Sequence, residues 1–164
     1  MKKLLQLTQK GEVLLSEVPP PQLHPNGVLV QTAASLISPG TEQAALEFSK
    51  KNLLQKAKNR PDLVKQVFDK ARRDGPIEAA KASMSRLQKP LPMGYACAGT
   101  VIAVGSEISE LSVGDRIACG GSLYASHAEI NFVPLNLVTL IPKIASGETI
   151  PFEEASFATL GAIA

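Results

Sequence analysis

The side chains in this chain that could do chemistry are few and dispersed. Tyr95 lies in PMGYACAGTVIAVG, where three glycines in register with a β-branched run mark a strand that bends or is closely approached. Its phenol could donate a hydrogen bond to a carbonyl as an electrophilic group. The competing reading is a packed aromatic. Thr41, in SPGTE, could cap a helix by accepting a backbone N–H of the first turn, and Glu42 beside it suits the positive end of that helix. A metal site could be drawn from Cys97, Cys119, His127 and Glu42. Against it, alternation along HAEINF puts His127, Glu129 and Asn131 on one face of a strand, so His127 is expected on the polar face. The two cysteines sit among small apolar residues, where a buried thiol is the simpler role. The sequence contains no P-loop, no GxSxG elbow and no GxGxxG.

Strands and turns must position these groups. Glu12–Val18 reads as a strand ended by PPP and the His24-Pro25-Asn26-Gly27 turn cluster, with His24 expected in solvent. Val28–Ser35 places Val28, Val30 and Thr32 on one face. A helix is expected within residues 42–58. In PDLVKQVFDKARRDG, Leu63, Val64, Val67, Phe68 and Ala71 recur at helical spacing between Pro61 at the start and Gly75 at the stop. Another helix is expected from Pro76 to about Leu87. After Pro90 and Pro92 strands return at Gly99–Gly105, Asp115–Cys119, Ser126–Val133 and Leu137–Ile141. Phe152–Ala164 opens as a helix with acidic residues in its first turn. That apolar helix reaches Ala164 without a cap, so more protein is expected to follow.

Composition narrows the class. With 164 residues and 45% hydrophobic content, one sizeable core is expected in a single domain spanning residues 1–164. Aromatics make up 4% with no Trp, so the core should be aliphatic. Two cysteines form neither a disulfide scaffold nor a paired CxxC lobe, which makes a reduced cytoplasmic setting the expectation. No signal-peptide core or membrane-spanning run is present, and no membrane partner is expected. The net charge of +2 hides an asymmetry: residues 44–90 hold 12 of the 17 Lys and Arg and 5 of the 15 Asp and Glu. Those cations lie on amphipathic helices, where a solvated face is the ordinary outcome, and only Phe48 and Phe68 could stack on bases, so nucleic acid is not expected. A lid over a cleft or a seat for an acidic partner are the other readings of this basic insertion.

Several phrases, in order, resemble the N-terminal GroES-like domain of the medium-chain alcohol dehydrogenase-like reductases. MGYACAGTVIAVG is similar to the G-H-E-x-x-G-x-V-x-x-V-G of that family, matching at Gly94, Gly99, Val101, Val104 and Gly105, and Val113-Gly114-Asp115-Arg116-Ile117 is similar to its G-D-R-V turn. HAEINFVPLNLVTLIP resembles its A-E-Y-x-x-V-P strand, and FEEASFATLGAIA the helix leading to its dinucleotide-binding domain. SPGTE and KNRPDLVKQV further resemble dehydrogenases of sugar and polysaccharide biosynthesis, some fused to a second oxidoreductase module. The resemblance implies a mainly β fold: a partly open GroES-like barrel with a basic helical insertion at about 42–90 and a C-terminal helix leading to a Rossmann domain beyond this sequence.

It also implies what the site has kept and lost. Zinc-dependent relatives hold a catalytic zinc with a Cys in a C-G-T-D-like turn and the His of G-H-E. Here Pro39 stands at the thiolate position, and Tyr95 and Ala96 at the His and Glu positions, so no zinc is expected. No four-cysteine structural lobe follows Cys119. Thr41 matches the proton-relay hydroxyl of the family, Tyr95 becomes the candidate electrophilic group, and Ser38 and Glu42 line the implied substrate cleft. The implied function is the substrate-side domain of a zinc-independent NAD(P)-dependent oxidoreductase acting on a small-molecule carbonyl or alcohol, such as a sugar derivative. NAD(P) would be held mainly by the Rossmann domain. The alternative is a non-catalytic binding or scaffold module with a basic helical arm.

Overall fold

The computed structural model describes residues 1–7, 12–50, 64–65, 68–69, 72–73, 75, 77, 90–144 and 147–164. The elements are β1 (Lys2–Leu7), β2 (Glu12–Glu17), β3 (Gly27–Ser35), α1 (Pro39–Lys50), β4 (Leu91–Pro92), β5 (Ala96–Val104), β6 (Arg116–Gly120) and β7 (Ile130–Pro134). A 3-10 turn, Leu135–Leu137, leads to β8 (Val138–Leu140), and two short helices follow, α2 (Phe152–Ala155) and α3 (Ala158–Gly161). The fold is mainly β, with a curled half-barrel sheet. No helix among the described residues is long and apolar enough to cross a membrane.

The chain divides into two compact units. The first comprises Met1–Leu5, Leu15–Pro39 and Pro92–Ala164, the second Gln6–Leu14 and Gly40–Leu91. Five antiparallel strands in the order β7-β3-β5-β6-β8 dominate the first unit, and a small sheet has the order β2-β1-β4. Strand alternation gives the large sheet two apolar faces. On one, Val28, Val30, Cys97, Val101, Ile117, Cys119 and Val133 form the main aliphatic core. On the other, Ala98 and Ala118 are small enough for Ala155 of α2 to pack on them, with Ile141, Ile150 and Phe152 around it. Both cysteines are buried, as their small apolar neighbours suggested.

β5 is the strand that the glycine frame foretold. A Cβ at Gly99 would collide with the Gln31 carbonyl, so a side chain there would push β3 and β5 apart where their register shifts between Thr32 and Ala34. The G-D-R-I turn follows. Gly114 has φ +96°, Asp115 Oδ2 accepts the Ser112 N–H at 2.7 Å, and Arg116 begins β6. The Arg116 guanidinium donates to the Ile150 carbonyl at 2.8 Å and lies 3.8 Å from the Phe152 ring centroid.

Several expectations need adjustment. β1 was not foreseen; KKLLQL has no period-2 pattern to announce it. The strand expected from Ser126 starts only at Ile130. The C-terminal helix is two four-residue pieces, interrupted where Ser156 Oγ donates to the Glu153 carbonyl at 2.7 Å, a local bond that competes with helix continuation. Of the expected helix around 61–75, Val64, Lys65, Phe68, Asp69, Arg72 and Arg73 are helical, and Gly75 has φ +92°. Val64 and Phe68 are exposed at 45% and 60%, with the Arg72 guanidinium 5.0 Å from the Phe68 ring centroid, so these two do not form a buried stripe. Leu63, Val67 and Ala71, residues 51–58, and the 76–87 helix except helical Ile77 lie outside the described residues.

Candidate functional site

The ladder between β3 and β5 ends at Ser35 opposite Cys97, and the Leu36 N–H then donates to the Ala96 carbonyl at 3.0 Å. Beyond that bond the two chains leave the sheet at the same end, which brings Ser38 and Tyr95 to one edge of the first unit. Tyr95 is half-buried. Its backbone is fixed from both sides: Gly121 N–H donates to its carbonyl at 2.9 Å, and the Met93 carbonyl accepts the His127 N–H at 2.8 Å. Between them Gly94 takes φ +89°, a conformation that any other residue adopts only under strain. A Cβ there would also stand 2.9 Å from His127 Nδ1 and 2.8 Å from its backbone N. The His127 ring therefore packs on the glycine that turns the chain into Tyr95. The Tyr95 hydroxyl makes no hydrogen bond to a described residue.

His127 is where sequence alternation misled. It was expected on the polar face of a strand; instead it is 7% exposed, precedes the strand, and shares a 2.9 Å hydrogen bond through Nδ1 with Ser35 Oγ. The reason is β1, whose Leu4 N–H donates to the His127 carbonyl at 2.9 Å and whose Lys3 bridges Ala128. Residues 127–129 pair with β1, and only the Glu129 carbonyl reaches the large sheet, accepting the Thr32 N–H at 2.9 Å, so His127 does not follow the alternation of the strand after it. Asn131, also read as polar-face, is 2% exposed and acts as a hub. Its Oδ1 accepts from Ser126 Oγ at 2.6 Å and Ser126 N at 3.3 Å, and its Nδ2 donates to Thr32 Oγ1 at 3.0 Å and to the Ser126 carbonyl at 2.9 Å. Sequence reading weighed His127 only as a possible metal ligand and gave Asn131 no place at the site. The small residues around His127 in ASHA were the available signal, because they suit a segment packed between other chains.

Cys97 and Cys119 face each other across β5 and β6. The hydrogen bond with Cys97 and then burial push the Cys119 thiol up, while accepting that bond, together with a contact from Thr32, draws Cys97 down.

Of the other sequence-predicted residues, Thr41 and Glu42 lie in the second unit. Thr41 was expected as a helix cap, but α1 begins at Pro39, which places Thr41 third in the helix. Ser38 stands immediately before it, and proline's fixed φ and missing N–H suit the first helical position. Glu42 is the acidic residue of that first turn and is half-buried. Ser38, Thr41 and Glu42 are each engaged by a further interaction.

The donor set does not suit a catalytic zinc. At the two positions the resemblance gives to thiolate and imidazole stand Pro39, with no side-chain donor atom, and Tyr95, a poor ligand when protonated. Among the described residues no three His, Cys, Asp or Glu side chains converge.

The sequence model of the alcohol dehydrogenase GroES-like domain matches residues 67–150. No curated protein sequence matches the chain. Solved structures with the same fold include galactitol-1-phosphate dehydrogenase from Escherichia coli, at TM-score 0.62 and 18% identity over 96% of this chain and 41% of that one. Quinone oxidoreductase from Coxiella burnetii aligns at TM-score 0.58 and 17% identity, over 95% and 40%. Escherichia coli quinone oxidoreductase complexed with NADPH aligns at 0.60 and 16%, over 96% and 37%. The chain thus spans about two-fifths of the length of these structures.

Proposed function

The chain belongs to the alcohol dehydrogenase GroES-like domain family, and from that premise we propose that it is the substrate-side domain of a zinc-independent NAD(P)-dependent oxidoreductase reducing or forming a carbonyl, with a sugar derivative as the substrate class. The observation that carries this reading is Tyr95: half-buried, held by backbone bonds on both flanks, its hydroxyl without a partner among the described residues. It stands where zinc-dependent relatives are inferred to place a metal-binding histidine.

A nicotinamide cofactor supplies or takes the hydride when bound. This sequence has no glycine-rich dinucleotide cradle, so that cofactor is assigned to a following domain. What these residues contribute is polarisation and proton movement. The Tyr95 phenol donates a hydrogen bond to the carbonyl oxygen, stabilising the negative charge that develops there as hydride reaches carbon. Ser38, at the same edge, orients the substrate hydroxyls, and the resemblance alone gives Thr41 the proton-relay role and Glu42 a place in the substrate cleft. The His127 ring beneath Gly94 positions Tyr95.

The test is NAD(P)H-dependent reduction of a panel of carbonyl compounds, sugar derivatives included, by the full-length protein. Tyr95→Phe should lower kcat about 100-fold, the scale of losing one donor to a developing oxyanion. The purified protein should hold less than stoichiometric zinc, and residues 1–164 alone should not turn over. Full activity in Tyr95→Phe, one zinc per chain, or NAD(P)H oxidation by the isolated chain each overturns the reading. Absence of any turnover by the full-length protein would favour the scaffold alternative.

A further inference from the structure

Away from Tyr95, the first unit contains a partly open cavity of about 190 Å³ that includes Lys3, Pro21, His24, Leu123, Tyr124 and Phe132 in its lining. Its volume is roughly the share of six water molecules in the liquid. Its walls divide between apolar faces, from Leu123, Ile130 and Phe132, and polar groups, from Lys3, Gln22, His24 and Asn131. The His24 ring meets Phe132 edge-on, with centroids 5.0 Å apart. Asn131 also lines it, but its amide is committed to Ser126 and Thr32.

Two features of this cavity are unexplained by folding. The first is Lys3. Its backbone is pinned, with Leu4 bonded to His127 and Lys2 N–H donating to Glu129 Oε2 at 2.8 Å, yet its half-buried ammonium has no anionic or hydrogen-bonding partner among the described residues. A partly desolvated cation without a counter-charge is unfavourable, and burial lowers its pKa accordingly. The second is Leu123, at φ +76° in the turn after Gly121 and 60% exposed. A left-handed leucine is a backbone outlier. Both features sit on the cavity wall, one offering a charge and the other an apolar surface.

We propose that this cavity binds a small monocarboxylate with a flat or branched apolar body, its carboxylate on the Lys3 ammonium and its body against Leu123, Tyr124 and Phe132. The charge-assisted bond supplies the missing counter-ion, and the apolar body covers the exposed leucine. His24 at the rim can donate a second hydrogen bond to the carboxylate.

Benzoate and isovalerate, titrated into the isotopically labelled chain and followed by amide chemical shifts, test this. Saturable shifts should cluster at residues 3–4, 24, 123–124 and 132. Benzamide, of the same shape without the charge, should bind about tenfold more weakly or worse, and Lys3→Gln should weaken benzoate by about tenfold while Lys3→Arg retains it. The benzoate and benzamide comparison needs no variant, so it stands even if a substitution unfolds the chain. Equal binding of benzamide, unsaturated shifts, shifts confined to the Tyr95 edge, or benzoate binding unchanged in a folded Lys3→Gln chain overturns the proposal. None of these outcomes bears on Tyr95, so the two readings fail separately.

Discussion

Gly94 shows how one missing side chain sets a site. At φ +89° with the His127 ring against it, the position pays twice for a methyl group, once in backbone strain and once in displacement of the imidazole. Gly94→Ala should therefore lose about 1–3 kcal/mol in urea unfolding, and a neutral result would mean the His127 contact yields freely. Asn131→Ala should cost about 2–4 kcal/mol, because it leaves the Ser126 hydroxyl and N–H and the Thr32 hydroxyl short of partners in a buried setting. A loss under 1 kcal/mol would show water replacing the amide. At this scale the sequence announced Gly94 and Gly99, because glycine spacing reports local backbone demands. It did not announce His127 or Asn131 as buried polar groups, because their partners, Ser35 and Thr32, come from nearly a hundred residues away.

Among the elements, β1 has the largest unforeseen role. It pairs with residues 127–129 ahead of β7, and it carries Lys3 into a half-buried place. A lysine whose folded pKa lies below its ordinary 10.5 leaves the unfolded chain holding more protons between those two values. Stability should then rise with pH through that window, and the desolvation cost should be fully present at pH 7, where both states are protonated. Lys3→Met should accordingly be more stable than the native chain at pH 7, with the gap closing as pH nears 10.5 in paired urea titrations. A gap that stays constant or widens would show that Lys3 is not desolvated. The central strands β3 and β5 were legible because they alternate or carry β-branched residues between turn residues, and β6 because it follows the G-D-R-I turn. The ends of elements were less so: a serine hydroxyl ended α2, and a remote strand delayed β7.

For the whole molecule, the expectation was a single domain with a basic helical insertion at about 42–90; the chain divides into two compact units, the second made of Gly40–Leu91 together with Gln6–Leu14. The later segment was recognisable from its charge and helical period. The earlier one was not, since nothing in a nine-residue stretch reveals a partner thirty residues on. The β3–β5 ladder closes around this insertion, with Ser35 paired to Cys97. That pairing carries a kinetic consequence. The first unit cannot complete its sheet until a segment of roughly 60 residues has brought its ends together, and replacing it with a Gly/Ser linker of about 10 residues should reduce the closure entropy by about 1.6 kcal/mol. Stopped-flow refolding should then be roughly tenfold faster if the insertion is still a coil when the ladder forms. An unchanged rate would mean that the inserted segment folds first and delivers the two strands already close, making the basic segment a folding template for the sheet it interrupts.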